Sequence, residues 1–122
     1  MAWVVRMAID FEEEFAVLAG PVQTELLANA CLIARFGPHP GRPRVDALKG
    51  SRYTNMKELR FEADGGIWRV AFAFDARREA ILLACGNKAG VSEGRFYRQL
   101  IARAERRYGA HVARVNTHPG KH

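Results

Sequence analysis

Apolar and polar positions along this 122-residue chain fall into blocks of two different periods. Between Asn55 and Ala63 they alternate: Leu59 and Phe61 point one way, Glu58 and Arg60 the other, as in a half-buried strand. Asp64-Gly65-Gly66 follows, a stretch that accepts positive φ and reverses the chain between paired strands. A second alternating run, Ile67 to Phe74, sets Trp68, Val70, Phe72 and Phe74 on one face and Ile67, Arg69, Ala71 and Ala73 on the other. Beyond Asp75 to Glu79, a short continuous apolar run from Ala80 to Cys85 suits a strand buried on both sides. These runs predict an antiparallel meander with one apolar face and one face whose large polar groups are charged.

The flanking segments switch period. Trp3 to Ile9 reads as a first strand, rich in β-branched and aromatic residues. Asp10 is placed to cap a helix with Glu13 as its box partner, and Phe11, Phe15 and Leu18 mark one helical face as far as Ala19. Gly20-Pro21 ends that helix and opens another, which runs to about Phe36 on the stripe Val22, Leu26, Ala30, Ile33, with Leu27 and Cys31 beside it. The two helices form a hairpin suited to covering the apolar sheet face. Three prolines between Gly37 and Pro43 make a connecting loop, in which His39 reads as a solvated turn residue. Val45 to Leu48 is a brief extended piece, and Lys49 to Tyr53 a basic, flexible approach to the sheet.

After the meander, Ser92 is placed to cap a last helix with the stripe Tyr97, Leu100, Ile101, Ala104, Tyr108. Arg95, Arg98, Arg103, Arg106 and Arg107 take its other faces. The pattern fades from His111, so one domain is expected over residues 1–115 with a flexible tail over 116–122. The order β-α-α-β-β-β-α predicts an α+β fold: a twisted, antiparallel-rich sheet with an N-terminal helical hairpin and a C-terminal helix. With the helices on one side, the charged sheet face stays open.

Composition sharpens this picture mainly through charge. Nineteen Lys and Arg against thirteen Asp and Glu give a formal charge of +6, a surface attracted to polyanions. No apolar run approaches the roughly 20 residues of a membrane span, and the N-terminus lacks the pattern of a signal peptide, so a cytoplasmic protein without membrane contact is expected. Cys31 and Cys85 lie in apolar segments and are expected to be buried, reduced thiols. Neither has metal-site spacing, and no metal or other cofactor is expected.

Arg60 and Arg69 fall on neighbouring strands, near enough to hold one phosphate between them, with Lys88 leaving the next strand end alongside. Guanidinium groups fork onto phosphate oxygens, and a pair can stabilise the extra negative charge of a pentacoordinate phosphorane. The same residues also read as a cross-strand surface ion pair with Glu58, worth little energy.

Taken in order, Lys57-Glu58-Leu59-Arg60, Trp68-Arg69-Val70 with alternating Phe, and Gly86-x-Lys88 before a C-terminal helix resemble the HigB/RelE-type toxins of type II toxin–antitoxin pairs. The similarity is to the phage-related HigB-like branch and covers about Trp3 to Val115, including the GRPRVDALKGS approach to the sheet. It implies a RelE-like fold and a ribosome-dependent endoribonuclease, an mRNA interferase that inhibits translation by cutting messenger RNA without a metal. In that chemistry the 2′-hydroxyl attacks the adjacent phosphodiester, leaving a cyclic phosphate and a 5′-hydroxyl. The resemblance implies that Arg69 stabilises the phosphorane, that Lys88 acts on the phosphate or the leaving oxygen, and that Glu58 and Arg60 belong to the same site. Glu58 is taken as the base over Lys57, because Lys57 shares parity with Leu59 and Phe61. Lys49, Arg52, Lys57 and Tyr97 make up the implied RNA-binding set; Tyr97 reads equally as a base-stacking residue or as a packed core tyrosine. The implied partners are a helix-turn-helix antitoxin of HigA-like type, the ribosome and mRNA. Two other readings stand beside this one: a non-catalytic toxin-fold module that binds antitoxin or RNA only, and a DNA-binding regulator using the basic last helix. Tyr97, Leu100 and Ile101 argue against the regulator, since they make that helix look docked.

Overall fold

The computed structural model describes residues 3–38 and 44–116. A five-stranded sheet comprises β1 (Val4–Met7), β2 (Val45–Ala47), β3 (Met56–Ala63), β4 (Gly66–Phe74) and β5 (Glu79–Asn87), in the order β1-β5-β4-β3-β2. Helices α1 (Ile9–Ala16), α2 (Gly20–Phe36) and α3 (Glu93–Asn116) pack on it. The meander forms as its alternation requires. Asp64 and Gly65 both adopt positive φ, 52° and 73°, in a two-residue turn whose twist matches the strands it joins. Ala80 through Cys85 are all buried.

Two strands extend the meander. The piece around Val45 is a true edge strand, antiparallel to β3 with Asp46 opposite Glu58, and β1 lies parallel to β5 at the other edge. Helix α1 begins one residue before Asp10, with Ala8 as its N-cap, and Asp10 makes no capping hydrogen bond. The junction is fixed by backbone instead: Ala8 N–H donates to Leu82 O, while Ala8 O accepts from Phe11 and Glu12. The helix also stops at Ala16, three residues short of the expected Ala19. Gln23 Nε2 reaches back from α2 to the Phe15 and Ala16 carbonyls, satisfying that early end.

On α2 the stripe Val22, Leu26, Ala30, Ile33 is buried as expected, but Cys31 is exposed. At about 100° per residue, Cys31 is rotated one step out of the line through Ala30. Cys85 is buried, and burial together with the nearby Glu14 pushes its thiol up to about 12, which leaves no reactive thiolate at neutral pH.

The charged sheet face is not left open. Helix α3 packs against β4 and β5 on the Arg69 side, seating Leu100, Ala104 and Tyr108 over a floor that includes Ala71, Ala73 and Ala84. Its contacts fix the seat: Tyr108 Oη meets Asn55 Nδ2 at 2.9 Å, and Tyr53 packs edge-on against Tyr108. Phe96, absent from the expected stripe, is buried against Gly86, where an added Cβ would lie 3.0 Å from its ring. Small residues on the sheet therefore make room for a helix on this face, while α1 and α2 pack against β1, β3 and β5.

Two arginines of α3 close a gap in the sheet. β1 pairs with β5 only as far as Leu82, and the β4 register skips Leu83. The Leu83 carbonyl accepts from Arg107 Nη1 at 2.8 Å, and the Cys85 carbonyl from Arg103 Nη2 at 3.2 Å. Glu14 of α1 pairs with both guanidinium groups. The clamp meets the rule that buried backbone acceptors find a donor. His39 and the rest of 39–43 lie outside the described residues, as does 117–122. Asn116 is the last residue of α3. Among the described residues, no helix is long and apolar enough to cross a membrane.

Candidate active site

The two-residue turn places Arg60 and Arg69 directly opposite each other as Cα partners, and one pair further along the same face Glu58 opposes Ala71. Side chains of such pairs share a face, so two guanidiniums and one carboxylate meet on the sheet. Glu58 is only 5% exposed, which for a carboxylate demands partners. It has three. Tyr97 Oη donates to Oε1 at 2.6 Å, Arg69 Nε lies 3.5 Å from Oε1, and Arg60 Nη2 lies 3.5 Å from Oε2. Arg69 also donates through Nε to Tyr97 Oη at 3.2 Å and through Nη1 to Trp68 O at 3.0 Å. On the outer side, Arg60 Nη2 meets Asp46 Oδ2 at 3.1 Å.

A cleft of about 550 Å³ opens over this group, walled by β2 and the Lys49 approach on one side and by the start of α3 on the other. Lys88 enters it from beyond β5, its ammonium 3.0 Å from Glu93 Oε1. An adjoining cleft of about 450 Å³ runs past Arg44 and Ile67 and shares Asp46, Arg60 and Arg69.

Tyr97 is half-buried. Burial raises its hydroxyl above the ordinary phenol range and the hydrogen bond to Glu58 raises it further, against the pull of Arg69. It therefore stays protonated, a donor that orients the carboxylate. Glu93 is held below the usual carboxylate range by its hydrogen bond to Lys88.

Of the residues singled out in the sequence, Glu58, Arg60, Arg69, Lys88, Lys49 and Tyr97 line the one cleft. Lys57 and Arg52 do not. Lys57 is the Cα partner of Phe72, on the face that carries Leu59 and Phe61. Arg52 lies over the Tyr53 ring, its guanidinium carbon 5.1 Å from the ring centre. Tyr97 is half-buried against the edge of the core: Phe96 takes the buried position beside it, and the Tyr97 hydroxyl turns onto Glu58. Asp46, Glu93 and Gly94 also line the cleft and were not foreseen. Asp46 follows from parity with Glu58 once Val45–Ala47 is read as a strand, and Glu93 from its place in the first turn of α3.

Chemically, the cleft brings two forked donors on facing strands, Arg60 and Arg69, together with the ammonium groups of Lys49 and Lys88 beside them, around a space of nucleotide size. That suits an oxyanion with charge spread over several oxygens, such as a phosphodiester. Among the described residues, no group of three or more His, Cys, Asp or Glu is placed to hold a metal ion.

Residues 13–109 match the model of the family described as phage derived protein Gp49-like. Over 78 residues the chain is 46% identical to a Mycobacterium tuberculosis protein named "Putative toxin HigB2", covering 63% of this chain and 38% of that one. Over 59 residues it is 51% identical to "Putative toxin HigB3" of the same organism, covering 48% of this chain and 50% of that one. The chain thus spans half or less of the length of these relatives. The free state of a double arginine mutant of the E. coli toxin RelE superposes with a TM-score of 0.64 at 11% identity, covering 88% of this chain and 98% of that one, and so has the same fold.

Proposed function

This chain belongs to the phage-derived Gp49-like family, and from that premise we propose that it is the toxin of a type II toxin–antitoxin pair, an endoribonuclease that cuts messenger RNA on the ribosome. One observation carries the reading: Arg60 and Arg69 face each other across β3 and β4, with Glu58 bound to both beneath a cleft of nucleotide size.

In the proposed reaction the scissile phosphate lies over the two guanidiniums. The 2′-oxygen forms a bond to phosphorus, and the bond from phosphorus to the 5′-oxygen breaks, leaving a cyclic phosphate and a 5′-hydroxyl. Arg69, held by Tyr97 and the Trp68 carbonyl, presents its outer nitrogens to the equatorial oxygens, where charge builds up in the phosphorane. Arg60 supports the same charge from the facing strand. Donors aimed at developing charge are the largest single contribution in reactions of this kind. Lys88 stands at the cleft wall, placed to donate to the departing 5′-oxygen. Glu58 Oε1 is engaged by Tyr97 and Arg69 and Oε2 only by Arg60 at 3.5 Å, so Oε2 is the oxygen assigned to take the 2′-hydroxyl proton. Lys49 and the adjoining cleft extend the phosphate path. An antitoxin partner goes with this reading.

The experiment is induction of the protein alone, followed by mapping of message ends. Arrested translation with 5′-hydroxyl fragments is expected. Unchanged translation at good soluble yield would leave a toxin-fold module that binds without cutting, and 5′-phosphate fragments would point to water as the nucleophile.

A further inference from the structure

Two cations at the walls of the cleft, Arg60 and Lys88, are already paired. Arg60 Nη2 sits 3.1 Å from Asp46 Oδ2 on one wall, and Lys88 Nζ sits 3.0 Å from Glu93 Oε1 on the other. In each pair the carboxylate is well exposed, 53% for Asp46 and 72% for Glu93, whereas Glu58 on the floor is 7% exposed by side chain. Four cations thus meet three carboxylates in the cleft, a net of +1 on a chain that carries +6. The Arg60 guanidinium still has a donor to spare: Nε is buried without a hydrogen-bond partner, while Nη2 is shared by two carboxylates. Exposed ion pairs of this kind add little to stability. Their position suits another role.

We propose that Asp46 and Glu93 are selectivity residues, each holding a cation that would otherwise bind an RNA phosphate, so that the cleft takes a strand only when other contacts hold it in place. The inference rests on the reading of the cleft as an RNA site and assigns to Asp46 and Glu93 the preference for an anchored strand over free RNA. A phosphate that binds Arg60 or Lys88 must displace a carboxylate and lie near its charge. A loose strand gains too little from one or two such contacts. A strand anchored nearby meets the cleft at high effective concentration and displaces both carboxylates into solvent.

The test is fluorescence anisotropy with a labelled single-stranded RNA bearing 2′-O-methyl groups throughout, which cannot be cut. Asp46→Asn and Glu93→Gln keep an acceptor for the Ala47 N–H and for Lys88, and both sites are exposed, so melting should be unchanged. Each is expected to bind about three- to tenfold tighter than wild type, with the double variant near the product, and the salt slope should steepen by about 0.7 per freed cation. Glu12→Gln on the exposed face of α1 makes the same change in net charge away from the cleft and should have little effect. Equal tightening by Glu12→Gln would reduce the effect to net charge and overturn the proposal. So would unchanged or weaker binding by Asp46→Asn and Glu93→Gln where Arg69→Ala weakens binding. If Arg69→Ala itself binds like wild type, the cleft is not the RNA site and the functional reading falls as well.

Discussion

The Tyr97 hydroxyl donates a 2.6 Å hydrogen bond to Glu58 Oε1, tying the first turns of α3 to the floor of the sheet. The same hydroxyl accepts from Arg69 Nε, so one phenol fixes both the acid and the base of the central ion pair. Removing it with Tyr97→Phe keeps the ring and its edge contact with Phe96 but leaves Glu58 one donor short. A loss of about 1–2 kcal/mol in stability is expected, read as a shift in urea midpoint.

That contribution has a pH signature. The folded Tyr97 hydroxyl ionises above its unfolded value, so its stabilisation is fully present below the ordinary phenol value of about 10 and is lost as pH rises through the raised folded value. The stability difference between wild type and Tyr97→Phe should hold steady at neutral pH and shrink on the alkaline side. Denaturant titrations between neutral and strongly alkaline pH measure it directly, and a constant difference throughout would show that the hydroxyl is not protonated and buried as described.

Arg69→Ala leaves Glu58 with Tyr97 and Arg60 alone. Because Arg69 is 13% exposed by side chain, its loss is felt in the fold, at about 1–3 kcal/mol. The proposed catalytic loss is larger in scale, about 10² to 10³ in rate. Arg69→Lys keeps a charge without the fork; it should restore stability more than activity. Thermal melting beside single-turnover cleavage separates the two effects.

Glu14 offers a contrasting case. It neutralises Arg103 and Arg107 where they cap the Leu83 and Cys85 carbonyls of β5, two strands across the sheet from Glu58. Glu14→Ala leaves two partly buried guanidiniums without their acid and should cost about 2 kcal/mol, less than the loss from a fully buried pair. Cleavage per folded molecule should be unaffected. A fall in rate beyond the fall in folded fraction would mean that the clamp steers α3 over the cleft.

The parts that could be read from the sequence are those governed by local period. Alternation from Met56 to Phe74, reversed at Asp64-Gly65, sets the register by counting outward from the turn, and it is this count that puts Arg60 opposite Arg69. Glu58 follows from the same parity. What escaped depends on contacts distant in sequence. Ala71 and Ala73 look neutral on a strand that also carries Arg69, yet their small size is what admits α3 to that face. Phe96 and Tyr97 stand side by side at the start of the helix, and only the seat against Gly86 decides which one is core. Asp46 belongs to a three-residue strand too short to show alternation, and the clamp by Glu14 joins residues nearly a whole chain apart. Cys31 was misplaced for a simpler reason: an apolar neighbourhood in sequence does not fix rotation about a helix.

The proposal that Arg69 stabilises the cleavage transition state is tested most directly by primer extension on a message undergoing translation, with wild type and Arg69→Ala at equal folded concentration. Co-sedimentation should show both proteins on ribosomes, since the remaining Lys and Arg supply the long-range attraction. Wild type is expected to cut within the coding region, and Arg69→Ala to leave the message intact over the same period. An Arg69→Ala protein that is folded, sediments with ribosomes and cuts at the wild-type rate would contradict the assignment.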